Sequence, residues 1–406
     1  MGNTISFFRQ IKDSSSTAEH IEKSKSHWSE RSGESGCSSA EEIEDNHKVF
    51  NDLLLHPTCG GFFTIFGKYL GPIAYRSAGL LSVGEKIAEG GQAEIYEAHI
   101  KWGNKVFRKR CEEEGAVFVL KVFKSGVSLR HLQSKWPEGL LKYRAVIAER
   151  EKLHIPEPLQ YGCDVQCATV LRDGRFAFVM RREDEDLRSL IDRKRRFQWR
   201  HGPFRDEIAI GMMCKIARGM DWLHGCDIVH RDFKVSNVLV RKFGDDWMCI
   251  IADYECSIGV IGTGFWRAPE ILQACKDGVV HQKPEIFSKA AHVYSYGMTC
   301  YEILTRKFPF KNHPLNDYDL ILAQGRRPEL PKYVDDWTQE LLGRCWEKDP
   351  AARPSFQEIM DIISTNSAKV KNYHLQVQLA EEEDSKEEER IRRSLSLADP
   401  IVDQPK

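Results

Sequence analysis

The stretch His230-Arg231-Asp232-Phe233-Lys234-Val235-Ser236-Asn237 brings a carboxylate, an ammonium and a carboxamide together within eight residues. Those groups suit phosphoryl transfer. The Asp232 carboxylate can accept a hydroxyl proton, Lys234 can neutralise charge on the moving group, and the Asn237 amide can hold a metal ion. A second acidic metal ligand is available in Asp253, which ends the apolar run from Met248 to Ala252. Lys121 lies inside another apolar run, Phe118-Val119-Leu120-Lys121. An ammonium there is costly unless anions meet it, and nucleotide phosphates would do so. Upstream, Ile87-Ala88-Glu89-Gly90-Gly91-Gln92-Ala93-Glu94-Ile95 sets glycines between two strand-like stretches. Without a Cβ, their backbone N–H groups can approach phosphates closely.

Two kinds of scaffold must position these groups. From about Leu81 to Ser128 the pattern is strand-like, with alternation in Glu94–Ala98 and an apolar run from Val117 to Phe123. From Asp206 to Ile363 helical periodicity dominates, including the amphipathic stretch Ile210–Leu223 just before the His230 loop. Residues 1–45 are rich in Ser, Glu and Lys and are expected to be disordered. Residues 46–80 are apolar and aromatic but broken by Gly and Pro, an extension expected to pack on the domain that follows. Residues 366–406 form a charged tail.

In this order the motifs resemble the eukaryotic protein kinase domain over residues 81–365. The His230 loop is similar to the family's HRDxKxxN, Lys121 to the lysine of VAIK, and Asp253-Tyr254-Glu255 to DFG. Ala268-Pro269-Glu270 and Arg353 match a structural ion pair. The resemblance implies an α+β, two-lobed fold, with a small, mainly antiparallel β lobe carrying one helix and a larger helical lobe. It implies ATP and Mg²⁺ as cofactors, bound in the cleft between the lobes. Asp232, Lys234 and Lys121 would be catalytic, and Asn237 and Asp253 would bind the metal. Ile87, Ala88, Gly90, Gly91, Gln92, Ile95, Lys121, Val179, Met180 and Leu239 would line the nucleotide site. Lys234 resembles the Ser/Thr class, with protein as substrate. Arg326–Pro331 and Cys345-Trp346 look most like the tyrosine-kinase-like group abundant in plants.

Several positions depart from the family pattern. Ala88 and Ala93 replace glycines, Glu255 replaces the Gly of DFG, and His292 replaces an Asp that normally steadies the catalytic loop. The helix glutamate that should pair with Lys121 is expected at Glu149, with Glu151 behind it. Ser257 offers a possible phosphorylation switch beside Arg231. These departures keep open a second reading, a pseudokinase scaffold that binds nucleotide or partner proteins without transfer.

The amino terminus, Met1-Gly2-Asn3-Thr4-Ile5-Ser6, fits the N-myristoylation pattern, with Gly2 as the acylated residue. One such chain gives only reversible membrane contact, so the expected location is cytoplasmic and partly membrane-associated. Lys+Arg (59) and Asp+Glu (60) nearly cancel, which gives no reason to expect nucleic acid as a partner. The 12 cysteines contain no CxxC pair and read as free thiols.

Overall fold

Residues 40–55, 81–100, 118–137, 162, 165–171, 173–194, 202–244 and 246–367 are described by the structure, a computed structural model. The first element is helix α1 (Ala40–Leu55). Strands β1 (Leu81–Glu89), β2 (Ala93–Ile100) and β3 (Phe118–Phe123) follow, then the short helix α2 (Leu129–Gln133) and strands β4 (Val165–Val170) and β5 (Phe176–Arg181). The five strands make one antiparallel sheet in the order β1-β2-β3-β5-β4.

The period of two along a strand sorts this sheet into faces. Leu120 lies opposite Val179, and both join Phe118, Val122, Ala98 and Ala177 in a small cluster on one side. Lys121 lies opposite Ile95 and Phe178 and so looks to the other side. There Phe123, Phe176 and Phe178 pack on one another and on Trp136, with ring centroids 5.0–6.0 Å apart.

Helix α1 corrects one boundary. Residues 40–45 were expected in a disordered segment, yet they form the opening turns of a helix that continues to Leu55. Its buried stripe, Asn46, Val49, Phe50 and Leu53, follows the i, i+3, i+4, i+7 spacing of a docked face. The acidic first turn, Glu41 and Glu42, is what made the composition look solvated. Asn46 is 2% exposed. Its Nδ2 donates to Gly174 O at 3.0 Å, and its Oδ1 accepts from Leu129 N at 2.8 Å. That second bond satisfies one of the N–H groups left open at the start of α2. Phe50 meets Phe176 at 6.4 Å, and Arg130 pairs with Asp45 at 3.0 Å.

Past the sheet come β6 (Glu185–Asp186), α3 (Leu187–Lys194), α4 (Asp206–Gly225), β7 (Val238–Phe243) and β8 (Asp246–Ile251). Strands β6, β7 and β8 form a second, three-stranded sheet. Helices α5 (Pro269–Lys276), α6 (Lys289–Thr305), α7 (Asp319–Leu322), α8 (Asp336–Cys345) and α9 (Phe356–Asn366) complete the lobe. Helix α6 is buried on every side from Ala291 to Thr305, which makes it the lobe's central post. Tyr296 ties it to α4 by donating to Met213 O at 3.0 Å. The fold is the expected two-lobed α+β architecture.

Candidate active site

The loop between α4 and β7 is fixed from below by backbone contacts. His230 is buried, and its Nε2 donates to Ala252 O at 2.8 Å. Burial holds its pKa below the ordinary imidazole value, so the ring is neutral. Its free Nδ1 faces the Asp232 N–H at 3.4 Å, and the same N–H donates to His230 O at 2.9 Å. Arg231 and Asp253 both have left-handed backbones, φ 66° and 68°, unusual for residues with a Cβ.

Around Asp232 the side chains saturate one another. Thr263 Oγ1 donates to Asp232 Oδ1 at 2.6 Å. Lys234 Nζ donates to Asp232 Oδ2 at 2.8 Å and to Thr263 Oγ1 at 2.7 Å. Asn237 Nδ2 donates to Asp232 O at 2.8 Å, and Ala252 N donates to Asn237 O at 2.9 Å. With its amide nitrogen committed to Asp232 O, Asn237 has its amide oxygen as the group that could take a cation.

His292, in the family's Asp position, carries the loop in another way. Its Nε2 accepts the Arg231 N–H at 3.2 Å, and its Nδ1 lies 2.7 Å from His224 Nε2. If Nε2 is an acceptor, Nδ1 must carry the proton and donate it to His224. The arrangement demands neutral rings. Burial, then the neighbours His224, His230 and Arg231, holds the His292 pKa well below its ordinary value. Burial and Lys289 bring His224 down to about 4.

Lys121 reaches this loop from the sheet. Its Nζ lies 2.5 Å from Asp253 Oδ1 and 2.9 Å from Glu255 Oε2. Burial works against the Lys121 charge, but Asp253 and Glu255 outweigh it and hold the pKa well above the usual value. Asp253 is depressed to about 2, with Lys121 the main cause. Lys121 meets Asp253, Asn237 meets Asp232, and the Ala252 N–H, next to Asp253 in the chain, joins the two pairs through Asn237 O.

The glycine turn between β1 and β2 is Gly90–Gln92, closed by Gly90 N donating to Ala93 O at 2.8 Å. Ile87 and Ala88 lie on β1 ahead of it and Ile95 on β2 behind it, while Gly90, Gly91 and Gln92 are exposed at its tip. Ion pairs brace its stem: Lys86 with Glu89 and Glu94 at 2.8 and 3.0 Å, and Lys124 with Glu89 at 2.8 Å. Met180 lies opposite Val119, on the Lys121 face. Leu239, half-buried between the buried Val238 and Val240, lies on β7 beside Asp186.

Val179 is a correction. Strand register sets it across from Leu120, on the face away from Lys121, so it packs in the outer cluster instead of lining the cleft. Val119, two residues before Lys121, shares the lysine's face and is the residue that sequence reasoning passed over. Ser257 is also corrected as a switch: it is 1% exposed, with no room for a phosphate to be delivered. Arg231, its expected receiver, lies 4.5 Å from the Phe287 ring centroid instead. Glu149, Glu151 and Gly2 lie outside the described residues.

No cluster of three or more His, Cys, Asp or Glu among the described residues could hold a metal alone. A magnesium ion that arrives with phosphates needs fewer protein ligands, one or two carboxylates or carbonyl oxygens plus water. The Asp253 carboxylate, 57% exposed, and the Asn237 amide oxygen fit that demand.

Residues 81–363 match the family described as protein tyrosine and serine/threonine kinase. The chain is a member of that kinase family. Similar proteins include a probable serine/threonine-protein kinase of Dictyostelium discoideum, 37% identical over 155 residues, 37% of this chain and 11% of that protein. The probable serine/threonine-protein kinase SIS8 of Arabidopsis thaliana is 28% identical over 297 residues, 69% of this chain and 24% of its own length. Serine/threonine-protein kinase STY17 of the same plant is 31% identical over 176 residues, 40% of this chain and 28% of its own. The kinase chain thus spans less than a third of the length of each. In the kinase frame Arg353 is the clearest anchor. Its guanidinium forks onto Glu270 at 2.8 and 2.8 Å and gives its remaining N–H groups to the carbonyls of Glu347, Lys348 and Ala290.

Proposed function

We propose that this chain is a protein serine/threonine kinase that moves the γ-phosphoryl of ATP to protein hydroxyls. The observation that carries the reading is the contact of Lys121 with Asp253 at 2.5 Å, beside the Asp232–Lys234–Thr263 cluster. Lys121 orients the α- and β-phosphates with an ammonium kept charged by its carboxylate neighbours. Asp232, its Oδ1 pinned by Thr263, receives the acceptor's proton at Oδ2 once Lys234 turns toward the transferring group. Asn237 and Asp253 would hold Mg²⁺, which neutralises phosphate charge when bound. Lys234, and the names of the similar proteins, support Ser and Thr as acceptors.

Incubation of the full chain with radiolabelled ATP, Mg²⁺ and a generic protein substrate tests the reading. Transfer is expected in the wild type and should vanish in Lys121→Met, with phosphoserine and phosphothreonine as the labelled products. Nucleotide binding without any transfer would instead make the chain a scaffold. That second reading has one observation behind it: a glutamate already stands on Lys121.

Membrane contact is a further part of the proposal, resting on Met1-Gly2-Asn3-Thr4-Ile5-Ser6. None of the described helices is long and apolar enough to cross a membrane. Metabolic labelling with a myristate analogue should mark the wild type and leave Gly2→Ala unlabelled.

A further inference from the structure

Glu255 has the environment of a working counter-ion. Its side chain is 0% exposed, between the buried Tyr254 and Cys256. Oε2 accepts from Lys121 Nζ at 2.9 Å, while Oε1 has no hydrogen-bond partner among the described residues. A carboxylate taken out of water so completely persists only with a cation on it, and Lys121 is the cation the structure sets there. Asp253, two residues earlier, is 57% exposed and meets the same Lys121 Nζ at 2.5 Å. The two acids converge on one ammonium, one of them open to solvent and the other closed off from it.

We propose that Glu255 is the positioning residue of Lys121, filling the role expected of a carboxylate on a small-lobe helix. The argument rests on the nucleotide-site reading above and deepens it. Lys121 has three N–H donors and commits two, one to each acid. When Asp253 turns to a metal, the buried Glu255 cannot follow, because leaving would strand its charge away from water. Lys121 then keeps one fixed partner and offers its other donors to phosphate. Metal ligand and lysine are thereby armed by a single segment, Asp253–Glu255.

The test is a double-mutant cycle on the full chain, read as the affinity of Mg²⁺ with a fluorescent ATP analogue. Glu255→Gln keeps size and one hydrogen bond but removes the charge. It should weaken binding about tenfold, the effect of one charge-assisted hydrogen bond, and have no further effect in a Lys121→Met background. Glu255→Asp should recover part of the loss. Two outcomes overturn the proposal: equal weakening in both backgrounds, or tighter binding in Glu255→Gln. Absence of phosphotransfer with the cycle intact would sink the kinase activity and leave this inference standing.

Discussion

The Arg353 network of the large lobe and the Lys121 contacts of the small lobe are built on opposite principles. In the large lobe, Arg353 spends all five N–H groups on Glu270 and three carbonyls. In the small lobe, Lys121 divides itself between an exposed and a buried carboxylate, one of whose oxygens is idle. A closed network has one low-energy arrangement and serves as an anchor. An open one keeps capacity for a ligand. The difference teaches which charges hold the kinase together and which are kept for its chemistry.

Breaking the closed network should have the largest effect. Arg353→Ala strands Glu270 and three carbonyls and should cost about 3–5 kcal/mol in denaturant unfolding. Asp232→Asn is the sharper probe of chemistry within the same lobe. It should lower kcat by about 10²–10⁴-fold while leaving the unfolding midpoint within error. In the small lobe, Asn46→Ala removes a buried amide and leaves the Leu129 N–H and the Gly174 carbonyl without it. We expect about 1–3 kcal/mol lost, checked by urea titration.

A further effect is graded with pH. Burial keeps His292 neutral, and burial with Lys289 brings His224 to about 4. An unfolded histidine binds its proton near pH 6.5. Between about pH 6.5 and 4, then, the unfolded chain takes up protons that the folded chain refuses. Stability should fall as pH drops through that window, by up to about 1.4 kcal/mol per unit for each histidine. Melting midpoints at pH 7 and pH 5 should differ less in His224→Gln than in the wild type.

The sequence showed most where chemistry fixes both residue type and order. Asp232, Lys234, Asn237, Asp253 and Lys121 could be read from motif context, and the structure gathers them. It showed least where meaning depends on which way a side chain points. Val179 and Met180 are equally apolar neighbours, and only sheet register separates them. Glu255 read as a disturbance because a sequence does not reveal that it turns inward to Lys121. His224 carries no motif at all; its role exists only through His292. Helix α1 was hidden by its acidic first turn, although the 46, 49, 50, 53 spacing was there to be found.

The strut formed by Asn46 has a practical consequence for anyone cloning a fragment. Cutting at residue 81, where the family match begins, would delete the side chain that bridges the Leu129 amide to the Gly174 carbonyl. It would also strip Val49, Phe50 and Leu53 from the small lobe and remove one of the rings packed on Phe176. Expression designs that start before Ala40 retain that cover; shorter ones would yield a lobe with a greasy open flank.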